Sequence, residues 1–90
     1  MQQRVAVFGM GYVGCVTAAC LAQDGHTVLG VDIDPAKVAE VNAGTPPISE
    51  PGLDEMLPIQ VKTGRLRATT NLAEAVAGSD LALVAVGTPS

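Results

Sequence analysis

A short apolar run, Val5-Ala6-Val7-Phe8, leads straight into Gly9-Met10-Gly11-Tyr12-Val13-Gly14, and a proline-free, alanine-rich stretch follows. Few sequence features constrain a backbone more. An unbroken apolar run of this length reads as a strand buried on both faces. From Tyr12 to about Asp24 the small residues Ala18, Ala19 and Ala22 favour a helix, and Val13, Val16, Thr17, Cys20 and Leu21 recur at helical spacing. Gly25 is placed to end that helix in a left-handed conformation. The first unit is therefore expected to be a strand, a tight glycine turn and a helix.

The same grammar repeats downstream. Thr27-Val28-Leu29-Gly30-Val31-Asp32 is rich in β-branched residues and reads as a second strand. Asp34-Pro35 is a helix start, with Asp as N-cap and Pro at the first helical position, and that helix runs through Val38 and Val41 to Asn42–Gly44. Gly44 to Gly52, with Pro46, Pro47 and Pro51, is expected to be irregular. Leu53 to about Thr63 suggests another helix, against which Pro58 counts. Asn71 caps a helix through Ala77 that stops at Gly78. Leu81-Ala82-Leu83-Val84-Ala85-Val86 is the longest apolar run and reads as the third strand, ending at Gly87-Thr88-Pro89. Strands joined by helices imply right-handed crossovers and an α/β, Rossmann-type doubly wound parallel sheet. Three strands make only its N-terminal half. Residues 1–90 are thus expected to be the N-terminal part of such a domain within a longer protein.

The glycine spacing has a chemical reading. Gly9 permits the tight turn, Gly11 leaves room for a pyrophosphate to approach the backbone, and Gly14 lets the helix pack close to the strand. Backbone N–H groups at the helix N-terminus then point at the phosphates, with the helix dipole behind them. Asp32 lies 18 residues past Gly14 at the end of the second strand, where a carboxylate accepts the adenosine ribose hydroxyls and repels a 2′-phosphate. The loop is therefore expected to bind NAD rather than NADP. FAD uses the same loop and is not separated by it. Asp34 is the rival acid, but N-capping suits it better. Lys37, one turn into the second helix, is either a solvated lysine or a cation near the ribose and phosphates. Thr88 is either part of a turn or a contact on the nicotinamide side, since ligands of open α/β sheets bind beyond the carboxyl ends of the strands. His26 lies at the opposite end, which argues against a catalytic role.

Composition narrows the alternatives. The net charge is −4, and the cations Arg4, Lys37, Lys62, Arg65 and Arg67 form no strongly basic face, so a nucleic-acid partner is not expected. Phe8 and Tyr12 are the only aromatics, so the core must be aliphatic. Cys15 and Cys20 fall in one helix and point in different directions, which argues against a disulfide. No ligand set for a metal stands out. Two reduced, buried thiols in a cytoplasmic protein are expected. The apolar run before Gly9 is too short for a signal-peptide core or a membrane span.

Beyond the loop, Gly25-His26, Gly30-Val31-Asp32, Pro47-Ile48-Ser49-Glu50-Pro51-Gly52-Leu53, Gly64-Arg65-Leu66, Thr69-Thr70 and Val86-Gly87-Thr88-Pro89-Ser90 resemble the UDP-glucose/GDP-mannose dehydrogenase family over the whole chain. The Glu-Pro-Gly-Leu element and the terminal Gly-Thr-Pro are the specific part, and they favour this family over a hydroxyacid dehydrogenase of the 6-phosphogluconate type. The resemblance implies a nucleotide-sugar 6-dehydrogenase that oxidises the C6 hydroxyl of GDP-mannose or UDP-glucose to the uronic acid with two NAD, for polysaccharide biosynthesis. Cys15, Cys20 and Ser90 lean towards the GDP-mannose branch. It also implies NAD contacts at Tyr12, Val13, Asp32, Lys37 and Thr88. The family's catalytic cysteine and its partners, the sugar-nucleotide pocket and the dimerising helix lie beyond residue 90. Neither Cys15 nor Cys20 matches that cysteine, so no catalytic residue is expected in this chain. A non-catalytic module that binds NAD or another adenine nucleotide is the alternative.

Overall fold

A computed structural model describes residues 3–46 and 51–85 of the chain. The elements run β1 (Arg4–Phe8), α1 (Tyr12–Gln23), β2 (Thr27–Val31), α2 (Pro35–Asn42), α3 (Pro51–Lys62), β3 (Leu66–Thr69), α4 (Leu72–Gly78) and β4 (Leu81–Val84). The strands form one parallel sheet in the order β3-β2-β1-β4. The chain first steps outward from β1 to β3, then returns to place β4 on the other side of β1. That reversal creates a crevice beyond the carboxyl ends of β1 and β4, the place where open α/β sheets bind ligands.

Alternation along the strands assigns the two faces. Val5 and Val7 of β1, Val28 of β2 and Leu66 and Ala68 of β3 are buried in the larger core with α1, α2 and α3. Ala6 and Val31 face the other way and pack with Ala75 of α4, Phe8 and Leu29. A parallel sheet covered on both faces needs apolar residues at every strand position, which is why β1 reads as a continuous run.

Two expectations are corrected here. The sheet has a fourth strand, β3, that was not foreseen from the sequence. Its four residues alternate buried and exposed around Arg67, so no apolar run announces it. The face that α1 turns to the sheet is also different. Gly14, Cys15, Ala18, Ala19 and Ala22 are the buried residues, whereas Val13 and Cys20 are exposed and Val16 and Leu21 lie at the margin. Small side chains take the inner face because α1 lies too close to β1 for larger ones. Cys20 is accordingly not a buried thiol. Pro58 does sit inside α3, where it forfeits a backbone hydrogen bond, while Leu53 and Leu57 of that helix are almost fully buried.

Helices α1, α2 and α3 end alike. Gly25, Gly44 and Gly64 have positive φ, and each pairs with the carbonyl three residues back while the next residue pairs five back. This double bond pattern satisfies carbonyls that a helix end otherwise leaves open. The N-caps are equally explicit: Asp34 accepts from the Ala36 N–H at 2.9 Å, and Asn71 accepts from the Glu74 N–H at 3.1 Å.

At the edge, β3 is held by a side chain acting as a strand. The Asn42 amide Nδ2 donates to the Ala68 carbonyl at 3.0 Å, and its Oδ1 accepts from the Ala68 N–H at 2.9 Å. Asn42→Ala leaves both backbone groups of Ala68 without this partner and is expected to cost about 1–3 kcal/mol of unfolding free energy, read by urea denaturation. No change in stability would show that water replaces the amide without loss.

Candidate functional site

The site is built where β1 turns into α1. Gly9 adopts φ 100°, a conformation that L side chains rarely hold, and its N–H donates to the Val31 carbonyl of β2 at 2.7 Å. The chain then reverses into α1 with Gly11 as N-cap. No side chain caps that N-terminus. A helix leaves its first-turn N–H groups without intrahelical partners, and its dipole places partial positive charge there. A Cβ at Gly11 would meet nothing within 4 Å, so the loop presents open space at this position. A Cβ on Gly14, by contrast, would collide with the carbonyl oxygen of Gly9. The roles anticipated for these glycines thus have distinct physical bases: turn, open approach and close packing.

Asp32 follows β2 and is tied into the loop. Its Oδ2 accepts from the Met10 N–H at 2.9 Å and its Oδ1 from the Asp34 N–H at 2.9 Å. Partial burial works against the charged form. The N–H groups of Met10 and Asp34, the charge of Lys37 and the Ile33 N–H outweigh it, so the carboxyl titrates below its ordinary value. A carboxylate offers about four lone-pair directions. The Met10 and Asp34 bonds use one on each oxygen, so the carboxylate keeps capacity to accept further hydrogen bonds. The Met10–Asp32 bond was not foreseen from the sequence. No spacing rule encodes it, because the second loop position is free in the glycine pattern.

Asp32 stands on the rim of a crevice of about 300 Å³ lined by Phe8, Gly9, Val31, Ile33, Leu72 and Val84. Ile33 is 94% exposed and Val84 72% exposed, so this rim is apolar and open. The structure therefore brings together Gly9, an uncapped helix N-terminus, a charged carboxylate and an apolar slot. Tyr12 and Val13, in the first turn of α1, are both partly solvent-exposed. Lys37 is exposed on α2 and acts on Asp32 through its charge. Thr88 and the Pro47–Glu50 segment lie outside the described residues.

The remaining chemistry-bearing side chains are accounted for elsewhere. Cys15 is fully buried and its thiol donates to the Met10 carbonyl at 3.4 Å. Burial, reinforced by the Asp32 and Glu40 charges against that of Lys37, pushes it up to about 11, so it stays protonated and unreactive. His26 accepts the Gln3 N–H through Nδ1 at 3.1 Å, at the amino end of β1. Asp34 caps α2. Among the described residues, no group of acids, histidines and cysteines is arranged to hold a metal, and no helix is long and apolar enough to cross a membrane.

The crevice, the strand order and the glycine turn define a dinucleotide-binding domain of the Rossmann type. Residues 3–90 match the sequence model of the UDP-glucose/GDP-mannose dehydrogenase family, NAD binding domain, and the chain belongs to that family. It is 56% identical over 97% of its length to GDP-mannose 6-dehydrogenase from Azotobacter vinelandii, and 46% identical over 97% to UDP-glucose 6-dehydrogenase from Rhizobium meliloti. Its fold superposes with a TM-score of 0.91 on the crystal structure of a ternary complex of GDP-mannose dehydrogenase from Pseudomonas aeruginosa, at 48% identity over 97% of this chain. The chain spans about 20% of the length of each of these proteins.

Two outcomes follow from the geometry. Gly14→Ala drives a methyl group into the Gly9 carbonyl, and this backbone cannot yield as a side chain would. Loss of the cooperative thermal transition, or a fall in Tm of several degrees, is expected; an unaltered Tm would mean that α1 is free to move away from β1. The lowered carboxyl of Asp32 contributes stability that is complete above its ordinary value of about 3.9 and is lost as the pH falls through the folded-state value. Asp32→Asn should therefore lower Tm at about pH 7, with a difference that shrinks as the pH falls below about 3.9, and a constant difference across that descent would exclude the linkage.

Proposed function

We propose that this chain is the cofactor-binding part of a nucleotide-sugar 6-dehydrogenase that oxidises the C6 hydroxyl of GDP-mannose to the uronic acid with two NAD. The observation that carries the reading is the Asp32 carboxylate at the rim of an apolar crevice, tied by the Met10 N–H to the glycine turn that opens into an α1 N-terminus without a side-chain cap. NAD needs both an anion site for its pyrophosphate and an acceptor for its adenosine ribose. The open space at Gly11 is the fit that a diphosphate requires.

In this reading Gly9, Gly11, Tyr12, Val13 and Gly14 border the pyrophosphate, Asp32 accepts the ribose hydroxyls, and Ile33 and Leu72 flank the adenine. Lys37 adds positive charge beside the ribose, and Thr88 meets the nicotinamide side. When bound, NAD supplies the hydride acceptor. The chain itself binds and orients it and excludes a 2′-phosphate through the Asp32 charge. The Cys15 thiol, buried and protonated, is not available as a nucleophile. The catalytic group, the sugar-nucleotide pocket and the surfaces of a homo-oligomer are assigned to the rest of a longer gene product. That product is placed in the cytoplasm, in polysaccharide biosynthesis.

GDP-mannose is preferred to UDP-glucose because the GDP-mannose 6-dehydrogenase of Azotobacter vinelandii reaches 56% identity where the UDP-glucose enzyme of Rhizobium meliloti reaches 46%. The test is the full-length gene product assayed for NADH absorbance with each sugar nucleotide. Turnover with GDP-mannose is expected, together with a KM for NAD raised about tenfold or more by Asp32→Ala. Turnover with UDP-glucose alone would replace the substrate. No NADH with any nucleotide sugar would sink the reading.

A further inference from the structure

The second residue of the glycine turn is fixed more firmly than its neighbours suggest. Met10 stands between Gly9 and Gly11, the two residues with most backbone freedom, yet its side chain is fully buried in the core that includes Val41 of α2. Each part of the residue has a separate anchor. Its N–H donates to Asp32 Oδ2 at 2.9 Å. Its carbonyl accepts from the Cys15 thiol at 3.4 Å. Its side chain lies over Gly30 of β2, where an added Cβ would come within 2.5 Å of Sδ and 2.6 Å of Cε. Gly30 interrupts an otherwise β-branched and aliphatic strand, and the space it leaves is the space that Met10 fills.

We infer that Met10 is a positioning residue that sets the orientation of the Asp32 carboxylate towards the cofactor ribose. This inference rests on the proposed role of Asp32. The chain of cause is short. Packing against Gly30 fixes the Met10 side chain, the Cys15 bond fixes the plane of the following peptide, and the Met10 N–H then holds one carboxylate oxygen. The second oxygen is held by Asp34. With both backbone bonds made, the carboxylate cannot rotate, and its remaining lone pairs point in fixed directions. Losing the Met10 bond frees that rotation and removes a donor that favours the charged form. Lys37 on α2 still favours the charge.

The experiment is a calorimetric titration of the full-length gene product with NAD and with its 2′,3′-dideoxyadenosine analogue, which lacks the hydroxyls that Asp32 would accept. Met10→Ala and Gly30→Ala should each weaken NAD about tenfold by letting the loop N–H shift from Asp32, and weaken the analogue less than about threefold. Met10→Leu, which refills the space over Gly30, should stay within about threefold of the parent for both ligands. Gly30→Ala added to Met10→Ala should have little further effect, because the methyl then meets a vacated site. If Gly30→Ala does not fold, Met10→Ala and Met10→Leu carry the comparison. Equal weakening of both ligands, or no weakening of NAD, overturns the positioning role while leaving the Asp32 reading intact. Asp32→Ala is the control for that reading. If it leaves the ratio of the two affinities unchanged, the ribose assignment fails and this inference fails with it.

Discussion

The structure depends on one close approach, that of Gly14 to the Gly9 carbonyl. It sets the distance between the first helix and the central strand, and much else is its consequence. With α1 pressed onto β1, only Cys15, Ala18, Ala19 and Ala22 fit on its inner face. With α1 starting directly after the turn, its N-terminus opens at the carboxyl end of the sheet rather than being covered by a preceding loop. The same contact that compacts the core therefore aims the helix dipole at the crevice. A larger residue at position 14 would disturb both at once, so packing and the direction of the helix N-terminus are not separable at this point in the chain.

The second constraint is electrostatic. Asp32 places negative charge beside a loop meant for phosphates, which looks unfavourable. Its geometry explains how the two coexist. The carboxylate sits after β2, bound to backbone N–H groups of Met10 and Asp34, so its charge is delocalised into the fold before any ligand arrives. The groups proposed for the phosphates belong instead to the N-terminus of α1. In that reading neutral, directional donors serve the diphosphate and one anchored anion serves the ribose. In general, a preorganised acceptor need not pay for ordering when a hydroxyl ligand binds.

How much of this was legible follows from which interactions are local in sequence. The glycine turn, the Asp34 and Asn71 caps and the glycine helix ends depend on residues a few positions apart, and each was readable. The strands β1, β2 and β4 were readable because burial on both faces leaves an apolar run. β3 was not, since an edge strand held by the Asn42 amide needs only alternate apolar residues, and Leu66-Arg67-Ala68-Thr69 supplies only that. The inner face of α1 was misread because hydrophobicity and burial diverge when a helix sits very close to a sheet. Alanines go in, and Val13 and Cys20 stay out. The Met10–Asp32 bond spans two turns of a parallel fold and leaves no periodic trace.

Ile33, Leu72 and Val84 are far more exposed than the core residues beside them, and all three line the crevice. Leaving such side chains in water has a cost that scales with apolar area, and that cost is recovered when a flat apolar group covers them. Polar residues here would stabilise the free domain and weaken the hold on a base. Placing the anchored carboxylate at the edge of this slot separates two tasks. Under the proposed function, hydrogen bonding to Asp32 discriminates among riboses, and burial of Ile33 and Leu72 supplies affinity without discriminating. Under that reading the domain recognises the adenosine half chiefly through Asp32 and this slot, while Thr88 meets the nicotinamide side.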